Sequence, residues 1–345
     1  MSDINARRRT PLTKTLIWDV AREAGVSIAT VSRALNGRAD VAAVTRENVL
    51  RIAQEKGYAG PQRAQSARRM MGLVTSHVSS FYFAEIMQGA IETVETYASN
   101  LVIYSTEQQS AGAKSLLKRL RRDGVDSALL LLPTESQAEL LHLQQHGYPF
   151  VIVDPTYPVS ERMLVVAAAN MAGGRQATEH LIALGHRRVG VITGPFRWCA
   201  TIDRLAGYHA VLTGIRLPVE PTLEVEGDFS VEGGFAAAQK LLALSEPPTA
   251  IFAFNDLMAV GTLRAAEERG LRVPEDLSII GFDDAVFASY TTPALTTVYQ
   301  PLRELGRAGI GLLFRQLQGQ PIEARRIELS TRLVVRASTG PAPQM

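Results

Sequence analysis

From Met71 to about residue 297 the chain repeats one unit: a short, almost uninterrupted apolar run followed by a stretch of helical period. The apolar runs are MGLVT (71–75), LVIYS (101–105), ALLLLP (128–133) and FVIVD (150–154), then RVGVITG (188–194), AIFAFN (250–255) and LSIIGFD (277–283). A strand apolar on both faces has to be covered on both faces, which points to parallel sheets sandwiched between helices. The intervening stretches predict those helices at 84–98, 112–122, 136–146, 171–184, 203–213, 231–244 and 257–269. So many units exceed one sheet, and two doubly wound lobes are expected, at about 72–168 and about 170–297. A helix at 302–318 and a strand at 326–336 follow. They assign part of 299–325 to lobe one and about 326–338 to lobe two, with 339–345 left as a tail.

The first 58 residues do not share this pattern. Residues 1–14 are polar and basic without periodicity and read as a disordered arm. Ile17, Val20, Ala21 and Ala24 then recur at helical spacing, and Gly25 stands where a helix C′ position wants a positive φ. Ser27 is placed to cap a second helix carrying Val31, Ala34 and Leu35, ended by Gly37. Thr45 is expected to cap a third, with Val49, Ile52 and Ala53 inward and Gly57 closing it. The expected fold class is therefore an N-terminal all-α helix-turn-helix headpiece (15–58), a linker (59–71), and an α/β core of two doubly wound parallel-sheet lobes (72–338).

Charge divides at the same place. The total is +2, but residues 1–71 hold 13 basic and 6 acidic side chains, whereas residues 72–345 hold 23 and 28. A basic module on an acidic body suits a polyanionic partner for the small part alone. One cysteine, Cys199, excludes an internal disulfide framework and fits a reducing compartment. Arg7, Arg8 and Arg9 precede no apolar segment of signal-peptide length, and no apolar run could span a bilayer. The expected setting is cytoplasmic, with no membrane partner.

Chemistry concentrates in DVAREAGVSIATVSRALNG (19–37), two short helices joined by a glycine-containing turn, of which the second can enter a DNA major groove. Ser27, Thr30 and Ser32 are short donors suited to phosphate oxygens. Arg33 can address a guanine edge in bidentate fashion, and Ile28 or Ala29 can meet a thymine methyl. Against this stands a plain three-helix bundle with a solvated basic face.

The same string closely resembles the headpiece of the LacI/GalR family of bacterial transcription regulators. HLIALGHRRVGVITGP (180–195), RLAGY (204–208), NDLMAVG (255–261), RVPEDLSIIGFDD (272–284) and PALTTVYQP (293–301) are similar to the family's core. The resemblance implies a homodimeric repressor that binds double-stranded, pseudo-palindromic operator DNA. It also implies a periplasmic-binding-protein-like core that closes on a small effector, taken to be a sugar, and the control of carbohydrate-utilisation genes. By the same likeness Ser27, Thr30, Ser32 and Asn36 would hold phosphates, and Arg33, Ile28 and Ala29 would read bases. The chain departs from the family in its linker: Gln62 follows Pro61, and no leucine occurs in 61–72. Arg63, Arg68 and Arg69 are expected to make a shorter, electrostatic minor-groove contact there. A second departure is Ala169, where the family has an acid before the asparagine.

An effector between two doubly wound lobes would meet the carboxyl ends of strands. Those ends carry Asp154, Asn255 and Asp283, with Arg204 opening a helix, Phe229 in the GDFS loop, Tyr82 and Phe83 after the first strand, and Gln300 at the return to lobe one. Family likeness makes Arg204 and Asp283 the ligand clamp and Phe229 the stacking aromatic. Taken singly, Phe229, Tyr82 and Phe83 also suit a core, and Asp283 with Asp284 a turn. Arg197, Trp198 and Cys199 form a loop expected to tune ligand choice. The alternative is a purine-type, corepressor-dependent repressor on the same scaffold, since YFAEI (82–86) is similar to purine-repressor sequence.

An enzyme is not expected: G-x-G-x-x-G after a strand, the P-loop and G-x-S-x-G are all missing. His142, His146, His180, His186 and His209 make no H-E-x-x-H pattern, and His180 and His186 are read as lying on or just after a surface helix. No metal or cofactor is called for. Beyond Arg336, ASTGPAPQM offers no leucine heptads for a tetramer.

Overall fold

The computed structural model describes residues 17–35, 38, 41–56, 69–76, 78, 80–106 and 116–344, which fall into two compact units divided at Arg68/Arg69. The basic arm, Asn36, Gly37, Gly57, Arg63 and Arg68 lie outside the described residues.

The described residues of the small unit hold three helices: α1 (Ile17–Ala24), α2 (Ile28–Leu35) and α3 (Ala43–Glu55). Val20, Val31 and Val49, one from each, are wholly buried and form its core. Gly25 has φ +64°, so the chain leaves α1 through the left-handed turn expected of it. The Ser27 hydroxyl accepts the Thr30 N–H at 3.1 Å and caps α2. The cap foreseen at Thr45 is not there: the cap position is Ala42, three residues earlier, so Thr45 sits in the first turn of α3.

The large unit contains both lobes. Lobe one is a six-stranded parallel sheet made of β1 (Met70–Thr75), β2 (Asn100–Ser105), β3 (Ser127–Leu131), β4 (Phe150–Val153), β5 (Val165–Ala168) and β11 (Arg326–Leu329), in the order β11-β5-β4-β3-β1-β2. Its helices are α4 (Phe81–Thr96), α5 (Leu116–Arg122), α6 (Gln137–Gln145) and α11 (Leu302–Leu317). Lobe two is a four-stranded parallel sheet, β6 (Val189–Thr193), β7 (Glu224–Glu226), β8 (Ala250–Ala253) and β9 (Ser278–Ile280), ordered β7-β6-β8-β9. It carries α7 (Asn170–Ala183), α8 (Cys199–Gly214), α9 (Val231–Leu242) and α10 (Asp256–Glu268). A two-stranded antiparallel pair, β10 (Thr297–Tyr299) with β12 (Arg332–Val334), lies against it. The chain crosses between lobes three times, from β5 to α7, from β10 to α11, and from β11 to β12.

Three boundaries, and the burial of one histidine, differ from expectation. Met70 and Met71 are already in β1, and Met71 is wholly buried, so the linker ends before residue 70. The strand expected at 326–336 is two strands: β11 extends lobe one's sheet beside β5, and only β12 belongs with lobe two. Thr331 and its neighbours break the run where it changes sheet. Residues 339–344 do not trail away, because Gly340 N–H donates to the Ser278 hydroxyl at 3.0 Å and Ala342 N–H to Leu184 O at 2.9 Å. That segment also covers His186, which is fully buried with its ring bonded to Thr249, Ser278 and Gly340, not at the surface.

Candidate functional site

In both sheets the strand order reverses direction beside the first strand, between β1 and β3 in lobe one and between β6 and β8 in lobe two. Connections leave to opposite faces at such a point and open a crevice at the carboxyl ends. The two crevices face each other across one cavity of about 520 Å³. Ser80, Phe81, Tyr82 and Leu132 enter it from the first switch point, and Pro195 and Asn255 from the second.

Arg204 is the centre of the cavity wall. It lies on α8 and is only 5% exposed. Gly174 and Gly207 let α7 and α8 touch: a Cβ on Gly174 would sit 2.3 Å from Arg204 O, and one on Gly207 2.3 Å from Met171 O. This closeness brings Asn170, at the start of α7, to accept the Arg204 Nε–H at 2.9 Å, while Nη1 donates to Phe254 O. The guanidinium stacks on the Phe282 ring with Cζ 3.7 Å from its centroid. Its orientation is fixed by four elements before any ligand arrives.

Asp283 faces it from the loop after β9. Its φ of +123° is sparsely populated by L-residues, and its Oδ1 accepts Gln300 Nε2–H at 2.6 Å. Burial pushes the carboxyl up to about 7, against the pull of the Arg204 charge and the Gln300 amide. Below it, Asp256 is held by Ala285 N–H at 2.7 Å and the Thr297 hydroxyl at 2.5 Å. Burial, and then the Asp283 charge, raise Asp256 well above the carboxylate range.

Asp154 is lobe one's counterpart, with φ +46°; it accepts the Tyr82 hydroxyl and, at 3.3 Å, the Ala168 N–H. Burial raises its pKa despite those two bonds. Phe229 has φ +64° and lies 5.3 Å from the Trp198 ring centroid. Leu132 (φ +46°), Asp154, Phe229 and Asp283 make four of the seven non-glycine residues with positive φ among those described, and all four line the cavity. Sparsely populated backbone conformations concentrate where a site fixes its side chains.

Six of the eight residues expected around an effector therefore meet here: Tyr82, Asp154, Arg204, Phe229, Asn255 and Asp283. Asn255 is already engaged, since its Oδ1 caps α10 by accepting Met258 N–H and its Nδ2 donates to Phe229 O. Gln300 does not line the cavity but stands behind Asp283. Phe83 is a correction. Ser80 caps α4 at Phe83 N–H, so helical spacing turns Phe83 inward with Ile86 and Ala90, and Phe81 takes the cavity position. The sequence reading also missed Asn170, Asp203, Asp228, Phe287 and Arg326 on this wall. Asp203 was legible in principle, as the neighbour of Arg204; Arg326 was not, because nothing local marks β11 as part of lobe one.

The cavity holds four aspartates, Asp154, Asp203, Asp228 and Asp283, against two arginines. Asp228 is occupied by its own turn, accepting Ser230 N–H at 2.9 Å and the Ser230 hydroxyl at 2.6 Å. An anionic ligand would meet an excess of carboxylates. A neutral ligand rich in hydroxyls would find acceptors, one fixed cation and aromatic faces.

In the headpiece, Ser27 before α2 and Ala29 and Arg33 on it are exposed, and Arg33 Nε–H donates to Ala29 O at 3.3 Å. Thr30 and Ser32 are half-buried. Ile28 differs from the exposed base reader expected of it: it is half-buried and packs against the headpiece core, being on the stripe of Val31 and Leu35. Arg69 is exposed, its carbonyl accepting Asn100 N–H at 2.8 Å just before β1. Among the described residues no helix is long and apolar enough to cross a membrane.

A family model described as "Bacterial regulatory proteins, lacI family" matches residues 16–60, and one described as "Periplasmic binding protein-like domain" matches residues 178–339. The chain is 33% identical over 335 residues to the HTH-type transcriptional regulator DegA of Bacillus subtilis, covering 95% of this chain and 99% of that one. It is 33% identical over 338 residues to the transcriptional repressor CytR of Escherichia coli (96% and 98%) and 33% over 330 to PurR of Photobacterium profundum (93% and 98%). Among solved structures it is similar to the transcriptional regulator CelR–cellobiose complex, at TM-score 0.72 and 34% identity over 94% of this chain and 99% of that one. It is also similar to the lac repressor dimer bound to operator and the anti-inducer ONPF, at TM-score 0.73 and 30% identity over 95% and 100%.

Proposed function

The chain belongs to the LacI family of DNA-binding transcription regulators, and from that premise we propose that it represses carbohydrate-utilisation genes and releases or grips its operator according to a neutral sugar held between the lobes. The cavity's chemistry carries this reading. Arg204 and Asp283 supply a fixed donor and an acceptor side by side, Asp154 supplies an acceptor from the other lobe, and Phe229 offers a face for C–H surface. Support also comes from the cellobiose bound by CelR.

Ser27, Thr30 and Ser32 contact phosphates in this reading and Arg33 with Ala29 contacts bases, with Ile28 contributing what its packing leaves free; Arg69 adds a basic contact beside the operator. Two copies of the chain read a pseudo-palindrome. The sugar bridges groups of both lobes, so it stabilises the closed form by its differential affinity and biases the headpieces through that equilibrium.

A thermal-shift panel of sugars and purines tests it. A specific ligand at a hundred times its dissociation constant should stabilise the protein by ~2.7 kcal/mol. If hypoxanthine or guanine shifts the melting point and no sugar does, the purine-type corepressor reading, to which the likeness to PurR lends weight, replaces this one.

A further inference from the structure

We propose that the effector is a two-ring sugar, a neutral disaccharide, and that Trp198, Asp203 and Arg326 form a second subsite for its outer ring. This rests on the sugar reading above and narrows it. The extent of the cavity along lobe one follows from the strands that line it. Its wall runs from Tyr82 after β1, past Leu132 after β3 and Asp154 after β4, over Ala167 on β5, to Arg326 on the edge strand β11. That is four inter-strand steps of about 4.8 Å, or about 19 Å. A pyranose ring with its hydroxyls, built from bonds of about 1.5 Å, spans only about 6–7 Å. Volume agrees: twelve non-hydrogen atoms at interior packing occupy about 200 Å³, well under half of the 520 Å³ present.

One ring satisfies the centre of the cavity, where Arg204, Asp283 and Asp154 converge. At the β1 end Phe81 and Phe287 meet edge to face across the lobes at 5.9 Å and narrow the space. The space left runs toward β11. There Trp198 extends the aromatic wall beyond Phe229, and Asp203 and Arg326 line the cavity from opposite lobes; burial and then the Glu328 charge raise the Asp203 carboxyl, with Arg326 pulling the other way. Glu328 shares the Arg326 guanidinium, with Nε and Oε1 3.7 Å apart. Arg326 donates and the Asp203 carboxyl accepts, and a sugar hydroxyl can do both. The lobes are also joined beside this spot, by Cys199 N–H to Thr156 O at 3.3 Å, so an outer ring would report directly on closure.

The test is titration calorimetry on the full chain with cellobiose, maltose, lactose and melibiose alongside glucose and galactose. At least one disaccharide should bind about tenfold or more tighter than either component ring, a gain of about 1.4 kcal/mol. Arg326→Ala and Asp203→Asn should each cost that disaccharide about fivefold more than its component monosaccharide. A monosaccharide that binds within twofold of every disaccharide, or variants that weaken both equally, would overturn the second subsite and leave the sugar reading standing. If no sugar in the panel binds, with or without binding of hypoxanthine, both readings fall together.

Discussion

Replacing Gly207 by alanine tests whether the contact between α7 and α8 sets the geometry around Arg204. The new Cβ would lie 2.3 Å from Met171 O and 2.6 Å from Arg175 N, both backbone atoms of the facing helix, which cannot swing aside as a side chain would. Reaching ordinary contact near 3.4 Å requires the helices to part by about 1 Å, an overpacking cost of about 3 kcal/mol. Alanine's better helix propensity returns about 1 kcal/mol, leaving a net loss of about 2. For a unit of this size that lowers the melting temperature by about 3–4 °C. The same separation stretches the Arg204 Nε to Asn170 Oδ1 bond from 2.9 Å beyond hydrogen-bond range, so effector affinity should fall about tenfold. Gly311→Ala is the control: it lies within α11 with nothing near its Cβ position, so the identical change should stabilise by about 0.5–1 kcal/mol. Calorimetric melts of the two variants should therefore move in opposite directions. Equal shifts, or a Gly207→Ala melt within a degree of the parent, would refute the close-packed account of the Arg204 wall.

Arg33→Ala should weaken operator binding by ~1–3 kcal/mol and relax preference at one guanine step; equal loss on operator and random duplex in a gel-shift titration would remove its base-reading role. Asp283 gives a pH signature: with its carboxyl near 7 in the folded state and near 3.8 unfolded, the folded protein holds the extra proton between those values. Its contribution to stability is complete below about 4 and is lost as pH rises through 7, so Asp283→Asn should flatten the decline in melting temperature across that window. A parallel decline in the variant would mean another group is responsible. Phe83→Ala, in the lobe-one core, should cost ~3–5 kcal/mol in denaturant unfolding, whereas Tyr82→Phe, one residue away, should change stability little and weaken the effector. Reversed ranks would return Phe83 to the cavity.

Most of the fold is legible from local pattern because fully buried strands leave unbroken apolar runs. β1, β3, β4, β6 and β8 were all foreseen and are buried along nearly their whole length. β7 (EVE) was not foreseen, and its residues are half-buried or exposed, so its apolar content is too small to announce it. β5 (VVAA) was also missed, although it is as long as β4 and β8 and as fully buried; its place in the sheet comes from pairing with β4 and β11. The misassigned 326–336 segment is the same problem at larger scale. RIELSTRLVV reads as one alternating strand, and nothing local says that its first half bonds to residues 165–168 and its second to residues 297–299.

That error bears directly on the site. Polar residues at strand ends are visible in sequence because the doubly wound fold sends every carboxyl end to the crevice, which is why Asp154, Asn255 and Asp283 were found. Arg326 reaches the cavity by a different route, from the beginning of a strand whose place in the sheet is decided by a long-range pairing. Because the chain returns through β11 after visiting lobe two, the sheet edge facing α8 is built from its last crossing, and the groups at that end of the cavity come from segments more than a hundred residues apart. The residues nearest Arg204 can be inferred from their neighbours. Those that would set the length of the ligand depend on topology, and so the selectivity between one ring and two is where sequence likeness to relatives of different effector is least informative.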